Sequence, residues 1–337
     1  MFLPSNLIPS LINVGEGIFL YASKYTRFRK EHTMKKSAKI GIITLLSILL
    51  VVIGVACYAA ISFQMAKEKS ESKLSTINQN FTGDEQSSDK ELTVMVVGND
   101  SRDDDEDQGR SDTLMVAHYD GKTKQPKLIS IMRDSYVDIP NRGMDKINAA
   151  YAYGGAQLTK EVLNKDFDLP INYYVVMDFK EFSDIIDELY PKGVTIDAEK
   201  DINLDGVDIV KGKQTLHGNS LLQYARFRMD EEGDFGRIRR QQQVMDALIN
   251  QSKDLIPIWE LPQVAGKLVG KIDTNVSTSL LIDLAKDFLS GKVKPLKSLS
   301  VPVQGTWDFN DYTESGSVIE LDAEKNAEAI NAFMKTN

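Results

Sequence analysis

Beyond residue 90 the chain alternates short hydrophobic runs with amphipathic segments. Runs rich in valine, isoleucine and aromatic residues predict β-strands, because branched and aromatic side chains pack well on a pleated surface. Four such runs lie between polar stretches, at Leu92–Gly98, Thr113–Tyr119, Lys127–Met132 and Ile171–Met177. Each has the length of an ordinary strand in a globular domain.

Other segments repeat their hydrophobic residues every three or four positions, which predicts helices. They are Lys146–Tyr153, Ala156–Lys165, Asp178–Leu189, Ser220–Ala225, Arg237–Gln251, Ser277–Leu289 and Asp322–Met334. The pair Gly154-Gly155 separates the first two, because glycine commonly ends a helix. Strands in alternation with helices predict a single α/β (α+β) domain, in which a central mixed β-sheet is flanked by helices.

One hydrophobic segment is of a different kind. Residues 40–63 carry no charge, and as a helix they are long enough to cross the hydrocarbon core of a bilayer. Lys35, Lys36 and Lys39 precede this segment, whereas the lysines that follow it are interleaved with glutamates. The positive-inside rule therefore predicts a single-pass type II anchor with the N-terminus in the cytoplasm. A cleaved signal peptide is the alternative, but its apolar region is usually only about 7 to 15 residues long.

The span divides the chain into four parts. Residues 1–39 are predicted to be cytoplasmic, 40–63 to be the transmembrane signal-anchor, 64–90 to be a polar linker and 91–337 to be the extracytoplasmic domain. Because a complete basic flank begins at Met34, we expect translation to start there and not at Met1. Peptides from the first 30 residues, found by mass spectrometry of the native protein, would contradict that expectation.

Composition excludes several classes of protein. Hydrophobic residues make up 42% of the chain, which is enough for a packed core. The single cysteine, Cys57, excludes a disulfide framework within the chain and a zinc site built on several thiolates. A net charge of -9 argues against nucleic acid as a partner, because duplex binding depends on neutralised phosphates.

Arginine is distributed unevenly in this acidic chain. Between Gln223 and Gln243 the sequence holds five arginines and no lysine, and four more arginines lie between Arg102 and Arg142. A planar guanidinium offers two parallel hydrogen bonds to phosphate oxygens, so this segregation favours phosphate recognition. The alternative is a set of structural pairs between these arginines and the nearby carboxylates. Candidate partners are Asp230, Glu231, Glu232 and Asp234.

Spacing within the arginine-rich stretch predicts two polar arms beside one groove. Arg226 and Arg228 alternate and would point the same way on an extended chain. Arg237 and Gln241 are four residues apart and would share one face of the next helix. Asp234 is a candidate N-terminal cap of that helix.

Carboxylates at predicted strand ends suggest a metal site. Asp100, Arg110 and Asp112 lie between the first two strands, and Arg133 with Asp134 follows the third. Magnesium in proteins typically takes one or two carboxylates and leaves its other positions to water and phosphate oxygens. Asp100 and Asp112 are therefore candidate ligands for Mg²⁺, with Mn²⁺ as a possible substitute.

Five motifs in this order resemble the LytR-CpsA-Psr (LCP) family of cell-wall enzymes, and the resemblance covers the whole predicted extracytoplasmic part. The motifs are GNDSR (98–102), GRSDT (109–113), SIMRDSYVDIP (130–140), KINAAYAYGG (146–155) and LHGNSLLQYARFRMDEEGDFGRIRRQQ (216–242). Departures from the family pattern, such as Met132, Ser135 and His217, affect no predicted phosphate contact and leave the polymer specificity open.

The resemblance implies a phosphotransferase of a Gram-positive-type bacterium. Such an enzyme moves a glycopolymer, for example teichoic acid or capsule, from a polyprenyl-pyrophosphate carrier in the membrane onto peptidoglycan. By motif, Asp100 and Asp112 match the metal ligands and Asp234 matches the residue that orients the arginines. The matched pyrophosphate contacts are Arg110, Arg133, Arg226, Arg228, Arg237 and Gln241, and the catalytic group is Asp100, Asp112, Arg133 and Arg237.

Three other functions remain open at this point. The same site could bind the polyprenyl pyrophosphate without turnover, or hydrolyse it as a pyrophosphatase with water as the acceptor. A membrane-bound transcriptional attenuator is the third, and the acidic composition disfavours it.

Overall fold

The computed structural model describes residues 76–86, 91–99, 111–251, 260, 262–264, 266–267 and 272–336. The predicted anchor, residues 40–63, lies outside these residues, as do Asp100 and Arg110. Within the described part of the chain, no helix combines the length and the hydrophobicity that a membrane crossing requires.

The elements follow one another in a mixed order. The strands are β1 (Glu91–Asn99), β2 (Ser111–Asp120), β3 (Gln125–Ile131), β4 (Ser135–Ile139), β5 (Gly143–Lys146), β6 (Tyr173–Asp178), β7 (Val194–Ala198), β8 (Ile202–Leu204), β9 (Val207–Ile209), β10 (Gly212–Leu216), β11 (Asp273–Thr274), β12 (Lys297–Val301), β13 (Trp307–Thr313) and β14 (Gly316–Leu321). The helices are α1 (Ile147–Phe167), α2 (Phe179–Leu189), α3 (Gly218–Arg226), α4 (Gly233–Gln251), α5 (Thr278–Leu289) and α6 (Ala323–Lys335).

A six-stranded sheet in the order β11-β6-β1-β2-β3-β12 forms the centre of the described structure. The β1–β2 and β2–β3 pairs are antiparallel, whereas β1–β6 and β3–β12 are parallel. The predicted mixed sheet is therefore confirmed. A four-stranded sheet, β13-β14-β4-β5, and two two-stranded sheets, β7-β10 and β8-β9, accompany it.

Alternating residues of β1 face opposite cores, as its two-residue period requires. Met95 and Val97 lie in the main hydrophobic cluster, which includes α1 and α6. Leu92 and Val94 face the other way and pack near Leu280 and other residues of α5. Helices thus cover both faces of the central sheet.

A second core lies among α2, α3, α4 and the two-stranded β7-β10 sheet. Val194, Ile196, Leu221 and Tyr224 are buried there, and Val244 of α4 packs with them. This packing fixes the C-terminal half of α4, so that its N-terminal turn is held in place at the end of the central sheet.

The break predicted between the first two helices is confirmed, because α1 consists of two helical segments that adjoin at a kink. Gly154 and Gly155 have non-helical backbone angles, and Gly155 has a φ of 62°. Asn78 lies against this kink, because its side-chain oxygen accepts a hydrogen bond of 2.8 Å from the Ala156 backbone N–H. A Cβ at Gly155 would come within 2.6 Å of that oxygen.

The predicted linker, residues 64–90, includes a segment that packs against the following elements. Residues 76–86 belong to the domain, since Asn78 is buried and Asp84 accepts a hydrogen bond of 2.8 Å from Lys160 on α1. The polar composition of this segment concealed its role. The segment is held by hydrogen bonds and ion pairs, and its sequence shows no hydrophobic periodicity.

Candidate active site at the ends of the central strands

Asp112 and Arg133 meet where β2 begins and β3 has just ended. The antiparallel register pairs Leu114 of β2 with Ile131 of β3, which brings the two flanking polar residues to the same edge of the sheet. The Arg133 guanidinium (Nη1) donates a hydrogen bond of 2.8 Å to Asp112 Oδ1. Residues predicted from separate motifs are therefore in direct contact.

Asp234 joins this pair to the arginine-rich helix. Its carboxylate lies 3.4 Å from Arg133 Nε and 3.3 Å from Arg237 Nη2. Asp234 thus contacts one arginine from each of the two sequence clusters. This is the contact that an orienting carboxylate would make.

The prediction that Asp234 caps the helix is wrong. Helix α4 begins at Gly233, so Asp234 lies within its first turn. The residue that accepts from the helix start is Asp230, whose Oδ1 lies 3.1 Å from the Gly233 backbone nitrogen. Because Asp234 is released from capping, its carboxylate is available to the arginines.

Gln241 lies one turn beyond Arg237 on the same helix. Its Nε2 donates a hydrogen bond of 3.0 Å to the Thr113 hydroxyl on β2. Thr113 is opposite Gly98 at the end of β1, where an added Cβ would come within 3.0 Å of the Thr113 Cβ. The close approach of these strands sets the position of α4 relative to the sheet.

Lys146 is a member of the site that sequence reasoning did not select. Its ammonium lies 3.1 Å from Asp134 Oδ1, and Asp134 lies 3.4 Å from Arg133 Nε. Lys146 opens the KINAAYAYGG motif, so a signal for it was present in the sequence. The described cluster thus contains three cations (Arg133, Lys146 and Arg237) and three carboxylates (Asp112, Asp134 and Asp234).

Burial and neighbouring charge shift the pKa values of the cluster in different directions. Burial opposes the charge on Arg133, but Asp134, Asp234 and Asp112 together raise its pKa above the ordinary value. Burial also pushes the pKa of Asp134 upward, yet Arg133 and Lys146 hold it below 3.8.

Arg237 is the most deeply buried cation of the cluster, with 5% of its surface exposed. Burial lowers its pKa, Asp234 partly restores it, and the positive charges of Arg133 and Arg228 lower it further. Among the described residues, Nε of Arg237, of Arg133 and of the neighbouring Arg240 donates no hydrogen bond, although carboxylate oxygens of Asp134 and Asp234 lie 3.4 Å from Arg133 Nε. Unmet buried donors of this kind favour the binding of an anion.

One side of the predicted groove was assigned to Arg226 and Arg228. Among the described residues, neither of these arginines contacts the cluster. Arg226 instead lies 3.2 Å from Asp205, and its guanidinium stacks 4.3 Å from the centre of the Phe179 ring. Arg228 is exposed to solvent. Its charge is the smallest of the contributions that lower the pKa of Arg237, of which burial is the largest.

The last two arginines of the stretch have structural partners. Arg239 forms two hydrogen bonds of 2.8 Å to the carboxylate of Glu199 and also contacts Glu232. Arg240 is fully buried and donates to Asp230 at 3.1 Å and to the Phe227 carbonyl. The structural alternative is therefore correct for this pair. Glu199 lies forty residues upstream of Arg239, too far for local spacing to reveal it.

Comparisons with known proteins identify the family. The LytR_cpsA_psr family model matches residues 54–332, and the chain belongs to this family. It is 41% identical over 247 residues to Regulatory protein MsrR of Staphylococcus aureus (strain COL), which covers 73% of this chain and 75% of that protein. It is 32% identical over 278 residues to TagU of Bacillus subtilis (strain 168), a polyisoprenyl-teichoic acid–peptidoglycan teichoic acid transferase, with 81% of this chain and 89% of TagU covered.

Solved structures agree with this result. The crystal structure of TagV from B. subtilis superimposes with a TM-score of 0.63 at 29% identity, over 74% of this chain and 98% of TagV. TagT bound to LIIa-WTA superimposes with a TM-score of 0.61 at 26% identity, over 76% of this chain and 96% of TagT.

Proposed function

We propose that this protein is a phosphotransferase that moves a glycopolymer from a polyprenyl-pyrophosphate carrier onto peptidoglycan. The observation that supports this proposal most strongly is the contact of Asp234 with both Arg133 and Arg237 at the ends of the central strands. TagU, whose name states this activity for teichoic acid, is among its relatives. The polymer, whether teichoic acid, capsule or another glycan, stays open.

The proposed reaction is an exchange at phosphorus. A hydroxyl oxygen of the peptidoglycan forms a bond to the sugar-side phosphorus of the carrier, and the bond from that phosphorus to the bridging oxygen breaks. Polyprenyl phosphate leaves, the hydroxyl releases its proton, and a phosphodiester joins the two polymers. Negative charge on the nonbridging oxygens must be neutralised throughout, and preorganised guanidinium groups supply that neutralisation.

The predicted roles divide the cluster into parts. Arg133 and Arg237 are proposed to bind the pyrophosphate, with Asp234 fixing the orientation of both guanidinium groups. Arg228, Arg226 and Arg110 are proposed to contact more distant phosphate oxygens, as is Gln241, whose Nε2 donates to the Thr113 hydroxyl. These roles follow from the family motifs and from the charge of the site.

Carboxylates in the cluster fit a magnesium ion. Among the described residues no group of three or more His, Cys, Asp and Glu side chains is arranged to hold a metal by itself. Mg²⁺ needs fewer protein ligands than that, because water and substrate phosphates complete its shell. Asp112 has a quarter of its side chain exposed and would hold the ion together with Asp100. A bound Mg²⁺ would neutralise charge on the pyrophosphate oxygens.

The proposed location follows from the predicted span. With residues 40–63 in the cell membrane and residues 1–39 in the cytoplasm, the domain would lie outside the cell, close to the bilayer. A carrier with a lipid tail and a peptidoglycan acceptor would both be accessible from that position.

The proposal is tested by incubating the purified full chain with a polyprenyl-pyrophosphate-linked glycan, Mg²⁺ and uncrosslinked peptidoglycan. We expect a phosphodiester-linked product, and we expect Asp112→Ala or excess chelator to abolish it. Full activity of Asp112→Ala, or full activity in chelator, would refute the role of the metal. A lack of product from the wild-type chain with every substrate present would refute the transfer.

A further inference from the structure

Three aromatic side chains form a row that leads away from the cluster. The ring centres of Phe235 and Trp307 are 4.8 Å apart, and those of Trp307 and Phe309 are 5.0 Å apart. The row begins beside a buried cluster and ends at Phe309, which is 63% exposed. Large aromatic rings at an otherwise polar surface are usually functional when they are contiguous.

The row is held rigidly by two elements. Phe235 is in the first turn of α4, while Trp307 and Phe309 are alternate residues of β13 and so share one face of that strand. Phe309 is opposite Ile319 of β14, which is buried against Met132 and Ile238. Hydrophobic packing fixes the inner end of the row, at Phe235, whereas the outer end, at Phe309, is free to contact a ligand.

An open cavity of about 570 Å³ lies beside the two inner rings of this row. Phe235 and Trp307 line it, together with Leu299, Ser300, Pro302, Val303 and Gln304. None of these lining residues carries a charge. The groove therefore has apolar faces and a few neutral hydrogen-bonding groups, and it does not suit a phosphate or a phosphate-rich polymer.

Two segments of chain connect the groove to the arginine cluster. Phe235 directly follows Asp234, and Met132 directly precedes Arg133. Met132 and Phe235 pack in the same hydrophobic cluster. A ligand in the groove would therefore have one end beside the phosphate-binding arginines.

We propose that this groove is the acceptor subsite, in which the Phe235–Trp307–Phe309 row binds a peptidoglycan glycan strand. This inference rests on the proposed function. The apolar CH faces of a sugar ring pack on the negative face of an aromatic ring, and its hydroxyl and amide groups bond to neutral polar side chains. The donor is anionic and belongs with the arginines, so the uncharged groove suits the neutral sugar backbone of the acceptor. Binding it there would place the attacking hydroxyl beside the phosphorus.

The kinetic test uses Phe309→Ala in the full chain. Because Phe309 is mostly exposed, its removal leaves the fold intact and takes away one stacking surface. We expect the peptidoglycan concentration at half-maximal rate to rise about tenfold, with the maximal rate and the donor dependence unchanged, as loss of uniform binding requires. Tyr312→Ala is the matched control, because Tyr312 is an aromatic residue of the same strand that is 97% exposed and outside the row. It should behave as the wild type.

A binding test separates this inference from the proposed function. The chain has two tryptophans, so Trp259→Phe leaves Trp307 as the one fluorophore of that type. Soluble uncrosslinked peptidoglycan strands should change its emission in a saturable manner, and Phe309→Ala should shift the titration to higher concentration by about tenfold. Because this measurement needs no turnover, it reports on peptidoglycan binding even if the transfer assay yields no product.

The two tests have clear contradicting outcomes. If Phe309→Ala keeps the wild-type dependence on peptidoglycan while transfer proceeds, the groove is not the acceptor subsite. The same conclusion follows if the strands leave the Trp307 emission unchanged, or if a polyprenyl lipid without a glycan changes it at lower concentration.

Discussion

Arg237, Arg239 and Arg240 lie within four residues of one helix, yet their surroundings assign them different roles. Arg240 is fully buried among oxygen partners, and Arg239 is paired with two glutamates at the surface. Arg237 is buried beside Asp234 and has an unmet Nε donor among the described residues. Among the described residues Arg240 Nε also lacks an acceptor, so the feature that separates Arg237 from its neighbours is its partner Asp234, which also contacts Arg133.

Replacing Arg237 with lysine should weaken catalysis although the charge is retained. Lysine cannot offer the two parallel hydrogen bonds of a guanidinium. We therefore expect kcat/KM for transfer to fall by the factor that corresponds to the loss of one charge-assisted hydrogen bond, about 1.5 to 3 kcal/mol. The measurement is the transfer rate of the full chain at subsaturating donor. Arg239→Lys on the same helix is the control and should keep the wild-type rate. Equal rates for both variants would mean that the fork geometry at Arg237 is irrelevant.

Replacing Arg240 with alanine should affect stability instead of chemistry. The change strips Asp230 and the Phe227 carbonyl of a buried partner, which typically costs about 3 to 5 kcal/mol of unfolding free energy. Denaturant unfolding of the purified chain measures this loss. Arg239→Ala at the half-exposed neighbouring site should cost no more than about 1 kcal/mol. A loss for Arg240→Ala as small as that of Arg239→Ala would contradict the structural role.

Local sequence could identify the arginines of the site but not their partners. Asp234 was found because it lies three residues from Arg237 in a recognisable motif. Glu199 was missed because the folded chain brings it to Arg239 from forty residues away, whereas Lys146 was missed although it opens a recognised motif. Nothing in the spacing of Arg226 revealed that it would stack on Phe179.

Among the elements, the segment of residues 76–86 and the kinked helix α1 depend on each other. Asn78 donates a hydrogen bond of 2.7 Å to Asp273, and its oxygen accepts from Ala156 just past the kink. Lys160, also on α1, donates to Asp84. The segment therefore fastens the helix to β11 through polar contacts.

Replacing Asn78 with alanine should loosen this attachment. The buried Ala156 N–H would lose its acceptor, which costs about 1 to 3 kcal/mol of unfolding free energy. Thermal and denaturant unfolding of the full chain provide the measurement. Asn80→Ala, two residues further along at an exposed position, is the matched control and should leave stability unchanged. An Asn78→Ala variant as stable as that control would show that the segment does not support the helix.

Asp84 makes the same attachment sensitive to acid. Burial raises its pKa, but bonds from Lys160, the Ile171 N–H and Asn164 outweigh it and hold the pKa below 3.8. Because the folded pKa is lower than the unfolded one, its stabilisation is complete above about pH 4 and is lost as the pH falls through the folded pKa. Asp84→Asn should therefore be less stable than the wild type near pH 7, and the difference should shrink below about pH 4. Urea unfolding at both pH values checks this, and a constant difference would contradict it.

Sequence patterns predicted the long elements and missed the short ones. The four predicted strands correspond to β1, β2, β3 and β6, and every predicted helix has a counterpart within a few residues. The other ten strands were not predicted, and β4, β5, β7 and β13 are examples that are short or carry polar residues on exposed positions. Their stability comes from pairing with distant strands, such as β4 with β14, which local periodicity does not record.

At the scale of the whole molecule, the central sheet gathers residues from distant parts of the sequence at one edge. Asp112 follows a loop, Arg133 ends a hairpin, and Arg237 arrives on a helix packed in a second core. The motifs could predict which residues belong together, because the resemblance to the family assigned them to one site. The uncharged groove beside them was beyond sequence reasoning, since Phe235 and Trp307 are seventy-two residues apart and meet only through tertiary packing.

The transfer of phosphorus to peptidoglycan tests the central claim most directly. A donor labelled with radioactive phosphorus at its sugar-side phosphate should be given to the full chain with Mg²⁺, with and without uncrosslinked peptidoglycan. We expect the label to enter the peptidoglycan fraction when the acceptor is present, and Arg237→Lys to slow that entry by about tenfold or more. Release of the label into soluble sugar phosphate at one rate, whether or not peptidoglycan is present, would show hydrolysis in place of transfer and would contradict the account.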